Sequence, residues 1–212
     1  MLQNNRILTV YKSRKTIIDL LQYQDFDTSD YEPFTINEID AMFSNDQLDM
    51  LLTNKNTNQK VYVKYNSSKN NISKQIRPKD LKNIIEDLFD IENILTKKDI
   101  LIVIIDEEPN ETIITELNYL YEREGIFVVI HNINRLQYNI LNHVLVPECV
   151  ILDEKEIENL KKTYNLSSSS QLPEISRFDP QALAICLRPG QVCKFKRKSA
   201  TAMYYDYYRV CV

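Results

Sequence analysis

Glycine, histidine and tryptophan are scarce: the 212 residues include two glycines, two histidines and no tryptophan. Gly-rich phosphate loops need several glycines close together, and the isolated Gly125 and Gly190 exclude one. His131 and His143 have no Cys or Ser partner at a recognisable motif spacing, so we interpret both as structural residues. No apolar run approaches the roughly 20 residues of a membrane span. Nucleotide binding of the usual kinds and a membrane role are therefore not expected.

Cysteines are few and are not arranged for metal binding. The four of them, all beyond residue 148, form no CxxC pair and have no histidine nearby, so a zinc site is not supported and we expect reduced, small apolar side chains. The segment from Met1 to Arg14 lacks the pattern of a signal peptide. We expect an intracellular protein without cofactor, metal or small-molecule ligand.

Charge is distributed unevenly along the chain. The net charge is −4, but Leu172 to Val212 contains seven Lys/Arg and three Asp/Glu. The C-terminal segment therefore carries +4 and the remainder −8. Such a segment favours contact with an acidic partner surface or with nucleic acid, although short basic runs are also common on ordinary solvated surfaces.

Local signals in the C-terminal segment predict a short helix followed by a hairpin. Asp179 and Pro180 suit an N-cap and a first helical position, which predicts a helix over 181–187. Pro189 and Gly190 suit the central positions of a type II turn. Strands over 192–198 and 203–212, joined by a turn over 199–202, then form a β-hairpin.

The preceding chain predicts an α/β arrangement. Its strongest signal is an apolar run, a helical pattern and a second apolar run, which indicates a βαβ unit with Ile114 and Leu117 facing inward. Capping boxes at Thr35 with Glu38 and at Asp153 with Glu156 mark two further helix starts. The predicted helices are 7–21, from 36, from 78, 111–121 and 154–164, the predicted strands are 48–53, 60–65, 100–105 and 126–130, and the serines at 167–170 form a spacer.

The C-terminal sequence resembles a specific family, the assembly domain of the fifth subunit shared by eukaryotic nuclear RNA polymerases I, II and III, which has a counterpart in archaeal RNA polymerase. The matching residues are Leu172-Pro173, Asp179-Pro180, Arg188-Pro189-Gly190-Gln191-Val192, Lys194, Arg197, Ser199, Thr201-Ala202, Tyr205 and Tyr208-Arg209. Upstream, residues 142–148 resemble the family's hinge and residues 14–17 its N-terminal helix.

This resemblance implies an α/β N-terminal jaw domain over 1–145, restriction-endonuclease-like and inactive, and a small α+β C-terminal assembly domain over 146–212. It implies a non-enzymatic polymerase subunit that docks on the largest subunit and places the jaw near downstream DNA, in the nucleus or, for a viral polymerase, in the cytoplasm or virion. The implied docking residues are Asp179, Pro180, Arg188, Gly190, Gln191, Val192, Lys194, Arg197, Ser199, Thr201, Ala202, Tyr205, Tyr208 and Arg209.

Two alternative functions remain open from the residues. Restriction-endonuclease-like enzymes hold Mg²⁺ with an Asp and a Glu/Asp-x-Lys, and Asp49 with Lys64 matches in part, but Tyr62 occupies the position of the second carboxylate. The basic hairpin could instead bind nucleic acid directly. The carboxylate-rich loop 106–112 departs from the family pattern and is interpreted as solvated surface, although a helix start at Thr112 would favour an anion.

Overall fold

The chain combines helices with two separate four-stranded sheets in a mixed α/β fold. The computed structural model describes residues 2–32, 34–68 and 71–212. Contacts divide the chain into two compact units, Met1–Asn139 and Ile140–Val212. The domain boundary predicted after residue 145 stays a prediction, and the compact units divide six residues earlier. Within the described residues no helix is both long and apolar enough to cross a membrane.

The described residues of the N-terminal unit form four helices and six strands. The helices are α1 (Leu2–Tyr23), α2 (Ile36–Ser44), α3 (Pro78–Ile85) and α4 (Glu111–Tyr119), and the strands are β1 (Met50–Thr53), β2 (Lys60–Tyr65), β3 (Ser67–Ser68), β4 (Asn71–Ile72), β5 (Ile100–Ile105) and β6 (Phe127–Asn132). π-helical turns at Glu86–Ile91 and Leu120–Glu124 extend α3 and α4, and a 3₁₀ turn covers Arg135–Gln137. The predicted helices and strands of this region are all present.

The main sheet of this unit has the order β1-β2-β5-β6, in which β1 is antiparallel to β2 and the other pairs are parallel. All six residues of β5 are buried, as the apolar run predicts for a strand covered on both faces. The βαβ unit is confirmed. One detail was wrong: α4 buries Ile113 and Leu117, whereas Ile114 is only half-buried at the edge of the buried stripe.

Both capping boxes are confirmed. The Thr35 side chain accepts from the Glu38 amide while Glu38 accepts from the Thr35 amide, and Asp153 with Glu156 forms the same reciprocal pair. Each pair satisfies amide groups that the first helical turn leaves without partners.

The C-terminal unit contains two helices and four strands. These are β7 (Glu148–Ile151), α5 (Glu154–Thr163), β8 (Glu174–Ile175), α6 (Pro180–Ala184), β9 (Val192–Ser199) and β10 (Met203–Cys211), with 3₁₀ turns at Ile140–Asn142 and Ser169–Gln171. The sheet order is β7-β9-β10-β8, and neither β7 nor β8 was predicted. The serine spacer is also corrected, since Ser168 caps a 3₁₀ turn there. Helix α6 ends three residues earlier than predicted, before Cys186 takes a left-handed φ of 51°.

Buried side chains cover parts of both faces of the C-terminal sheet. One cluster contains Cys149, Ile175, Ala182, Ile185, Leu187, Cys193, Phe195 and Cys211, and the other contains Leu152, Leu160, Val192 and Val210. All four cysteines are buried thiols that form no disulfide. A hydrogen bond with Cys193 and burial together raise the pKa of Cys149, and burial raises the pKa of Cys211 to about 11. The thiols of Cys149 and Cys211 therefore stay protonated at neutral pH.

Burial of His131 in β6 makes the stability of the protein depend on pH. Its ring is 5% exposed, and burial with the nearby charge of Arg135 lowers its pKa to about 4. In the unfolded chain a histidine titrates near ~6.5. Protonation therefore favours the unfolded state as pH falls between these two values, and the contribution of a neutral His131 is fully present only above the unfolded pKa.

We predict that His131→Gln flattens the pH dependence of unfolding between roughly pH 6.5 and 4, because the substitution removes a group that takes up its proton on unfolding. Wild type should lose a few kcal/mol more than the variant across this range. Urea denaturation at a series of pH values measures the difference. The matched control is His143→Gln, at an exposed position, which should follow wild type; equal slopes for wild type and His131→Gln would contradict the prediction.

Candidate functional site

The C-terminal hairpin is buried at its base and exposed at its tip. Strands β9 and β10 pair over eight residues, from Val192 opposite Val210 to Ser199 opposite Met203. Both valines are in the core, whereas the side chain of Met203 is exposed. The half of the hairpin nearest its turn is therefore available to a partner.

Several of the predicted docking residues shape the frame of this hairpin. The Gln191 amide donates to the Arg188 carbonyl at 3.1 Å, closing the turn in which Gly190 has a φ of 87°, and the Gln191 side chain accepts from the Arg188 amide at 2.8 Å. Asp179 accepts from the Gln181 amide at 2.9 Å and caps α6, which starts at Pro180. These residues position the strands.

One face of the hairpin carries a stack of cations on an aromatic ring. The Arg197 guanidinium lies 4.3 Å from the Tyr207 ring centroid, and the Arg209 guanidinium lies 5.4 Å from the same centroid. Arg209 also donates to the Glu174 carbonyl at 3.1 Å. Because Tyr205 lies opposite Arg197 in the register, it shares this face and is exposed. This face offers arginine and tyrosine together.

The opposite face carries the remaining basic residues. Lys194 lies opposite Tyr208, whose ring packs edge-on against Tyr164 at 5.9 Å. The Lys196 ammonium lies 5.4 Å from the Tyr204 ring centroid. The predicted docking residues are therefore divided between two faces of one hairpin.

The predicted turn residues close the tip. The hydroxyl of Ser199 accepts from the amides of Thr201 and Ala202, each at 3.3 Å. Thr201 and Ala202 are themselves exposed.

Sequence reasoning missed an apolar pair beside the hairpin. Val144 and Leu145 are 85% and 84% exposed. With Lys196, Arg197 and Tyr204 they line a cavity of about 670 Å³. The sequence did contain a signal for this exposed pair, because the two apolar residues are adjacent in a segment without helical or strand periodicity. We call this region the tip surface, defined by Val144, Leu145, Lys196, Arg197, Lys198, Met203, Tyr204 and Tyr205.

In the N-terminal unit, Asp49, Tyr62 and Lys64 come together as the partial nuclease match requires. The Tyr62 hydroxyl and the Lys64 ammonium each lie 3.1 Å from Oδ2 of Asp49, and the Tyr65 amide donates to its Oδ1 at 3.1 Å. Both carboxylate oxygens of Asp49 are thus engaged within the protein.

This cluster does not fit a magnesium site. Burial, followed by the charge of Asp49, raises the pKa of Tyr62, so the phenol stays protonated and is a poor ligand. The described residues contain no group of three or more His, Cys, Asp or Glu that could hold a metal ion. The arrangement is a hydrogen-bonded ion pair that ties β2 to the residue before β1.

Paired charges occupy the acidic loop after β5. Glu107 lies 3.8 Å from the Lys74 ammonium, and Glu108 lies 2.7 Å from Nε of Arg135. Helix α4 begins at Glu111, as predicted, and is capped by Asn110, which accepts from the Ile113 amide at 3.0 Å; Thr112 therefore lies inside the first turn. The loop is therefore a surface of paired carboxylates and not a site that would attract an anion.

Comparison with known proteins matches the C-terminal unit. Residues 138–211 match the family model described as RNA polymerase Rpb5, C-terminal domain. The DNA-directed RNA polymerase subunit Rpo5 of Thermococcus kodakarensis is 51% identical over 76 residues, which cover 36% of this chain and 92% of that protein. Rpo5 of Pyrococcus abyssi is 46% identical over the same shares of the two chains. The subunit RPABC1 of RNA polymerases I, II and III of Caenorhabditis elegans is 46% identical over 77 residues, 36% of each chain.

The unit that carries the β9–β10 hairpin is therefore of a class found in DNA-directed RNA polymerase subunits. The chain belongs to the Rpb5 C-terminal domain family. The family resemblance inferred from the C-terminal motifs is confirmed.

We predict that Asp49→Asn lowers the free energy of unfolding by about 1–3 kcal/mol, because Lys64 loses its counter-charge in a half-buried site. Chemical denaturation measures the change, and Asp30→Asn, at an exposed position, is the matched control. Millimolar Mg²⁺ should leave the unfolding midpoint of wild type unchanged and supercoiled plasmid uncut. Plasmid nicking that needs both Mg²⁺ and Asp49 would contradict the structural interpretation.

Proposed function

We propose that this chain is a non-catalytic, shared subunit of a multisubunit DNA-directed RNA polymerase. The observation that carries the proposal is the match of residues 138–211 to the Rpb5 C-terminal domain, together with the names of its archaeal and nematode relatives. In this function the C-terminal unit is the assembly domain and docks on the largest polymerase subunit. The protein works in the nucleus or, if its polymerase is viral, in the cytoplasm or virion.

The composition of the tip surface supports a protein as the docking partner. Val144, Leu145 and Met203 are large apolar side chains with most of their area exposed. A nucleic-acid backbone would neutralise the neighbouring cations but would leave these side chains in water. Buried protein interfaces are enriched in tyrosine, methionine and arginine, which are all present here. The surplus of positive charge favours a partner patch that is acidic around an apolar centre.

The N-terminal unit is proposed to act as the jaw, with a restriction-endonuclease-like fold that has no activity. Its mixed sheet and the cluster around Asp49 support this assignment, because the residues at the nuclease positions bind one another. The unit lies near downstream DNA in this proposal. Direct contact through the acidic loop is disfavoured, since its carboxylates would repel phosphate.

Free nucleic-acid binding through the hairpin is the second candidate. Lys194, Lys196, Arg197 and Lys198 lie within five residues of one strand. If these four cations each neutralised a phosphate, log affinity would fall with log salt concentration at a slope of about −3.6. The alternation of β9 places Arg197 on the face opposite the three lysines, so the four cations do not form one surface, which weakens this candidate.

We predict that Arg197→Glu with Tyr205→Ala reduces recovery of polymerase subunits by at least about tenfold, because both side chains lie on one exposed face and such residues are frequent interface hot spots. The chain, tagged at Met1, is expressed in its source cells, and captured subunits are quantified by mass spectrometry. Wild type should recover the largest subunit.

The matched control is Lys155→Glu with Tyr119→Ala, which also reverses one basic charge and truncates one tyrosine, on exposed helical positions outside the hairpin. Circular dichroism of each purified variant establishes that it is folded. Failure of wild type to recover any polymerase subunit would refute the proposed function. Binding of short duplex DNA by the isolated wild-type protein, with the steep salt slope above, would favour the second candidate.

A further inference from the structure

A cavity of about 330 Å³ lies beside α1 in the N-terminal unit. Its wall includes Arg14 of α1, and the rings of Tyr31 and Phe34 from the chain before α2. This volume is at the lower end of the range typical of small-ligand pockets. The cavity takes no part in the proposed polymerase function, and family resemblance assigned no ligand to it.

Arg14 is a buried cation with two unpaired nitrogens. Its side chain is 1% exposed, and Nη1 donates to the Leu48 carbonyl at 2.8 Å. Nε and Nη2 are buried and have no hydrogen-bond partner. Among the described residues no carboxylate lies at ion-pair distance from Arg14. Burying charged donors without acceptors is costly, so an acceptor supplied from outside would be bound favourably.

The two unpaired nitrogens define the shape of the acceptor. Nε and Nη2 lie on the same edge of the planar guanidinium, with parallel N–H bonds that match the two oxygens of a carboxylate. Aromatic rings cover the guanidinium, with its central carbon 5.7 Å from the Tyr31 centroid and 5.5 Å from the Phe34 centroid. A ligand here would place its charged end on Arg14 and an apolar, flat body against these rings.

Charges around the cavity favour one negative charge over two. Lys15 adds a cation to the wall, while Asp19 and Glu32 add two carboxylates. Glu32 is held by a hydrogen bond from the Thr28 hydroxyl. Both wall carboxylates would repel a divalent phosphate strongly. A monoanion carries half that charge, so the carboxylates repel it less, and it still pairs with the guanidinium.

We propose that this cavity binds a monoanionic carboxylate, whose two oxygens accept from Nε and Nη2 of Arg14. The Tyr31 hydroxyl is held by the backbone of Leu51, so in this proposal rotation of the part-buried Phe34 ring opens the path to the guanidinium. The carboxylate belongs either to a small organic acid or to an acidic side chain of another polypeptide. Both sources present the same chemistry, and the experiment separates them.

The test uses the full chain with ¹⁵N-labelled arginine and follows the Arg14 Nε–H signal by NMR, assigned with Arg14→Lys. The probes are benzoate for a free acid, N-acetyl-glutamate α-amide for a side chain, and inorganic phosphate. We expect a saturable downfield shift of this signal with a carboxylate probe and none with phosphate. The probe with the lower dissociation constant identifies the source.

Variants make the result specific to the guanidinium edge. Arg14→Lys keeps the charge but removes the bidentate edge, so carboxylate affinity measured by calorimetry should fall by about tenfold or more. Glu32→Gln, at an exposed position, removes a repelling charge and should tighten binding about two- to fivefold. If Arg14→Lys does not fold, the Nε–H shift in wild type and the effect of Glu32→Gln on affinity still test whether a carboxylate binds at Arg14. No shift with either carboxylate at 50-fold excess over protein, or equal affinity of folded Arg14→Lys, would overturn the proposal.

Discussion

The register between β9 and β10 is the constraint on which the C-terminal unit depends. Because side chains alternate across a strand, a shift by one residue would exchange the two faces of the hairpin. Val192 and Val210 would then leave the core, and Arg197 would lose its place over Tyr207. Turns at both ends oppose such a shift: the turn at Gly190 fixes the entry into β9, and the Ser199 hydroxyl fixes the exit.

In the proposed function, the same hairpin serves stability at one end and recognition at the other. Near its base the strands are covered on both faces, and thiols and aliphatic side chains fill the interior. Near its tip the apolar side chains stay in water, which costs free energy in the isolated chain at about 25 cal/mol per Å². Binding of a partner over the tip surface would recover this free energy. In this proposal the residues that stabilise the fold and the residues that bind a partner lie at opposite ends of one pair of strands.

Most elements of this fold could be predicted because they depend on residues close together in the sequence. Elements that depend on pairing between distant residues could not. Capping boxes, the Asp179-Pro180 helix start and the β9–β10 hairpin depend on neighbours in sequence, and all appear. Strand β8 has two residues and exists because Val210 and Cys211 pair with it across about 36 residues, which no local pattern encodes. The exposure of Val144 and Leu145 was likewise hidden, because apolar character alone does not distinguish a core position from a docking position.

Two polar clusters of the N-terminal unit show how satisfied and unsatisfied groups differ in meaning. Asp49 receives partners on both oxygens and therefore gains little from a ligand, although its motif suggested a catalytic role. Arg14 lies in a predicted helix that resembles the family's N-terminal helix and carries no catalytic or ligand-binding motif, yet it retains two buried donors without acceptors. Whether a buried polar group has a hydrogen-bond partner depends on three-dimensional packing and cannot be read from a motif. By that measure Arg14 is the better candidate for a ligand site, although only Asp49 belonged to a catalytic motif. The unpaired guanidinium edge is therefore the stronger reason to look for a ligand.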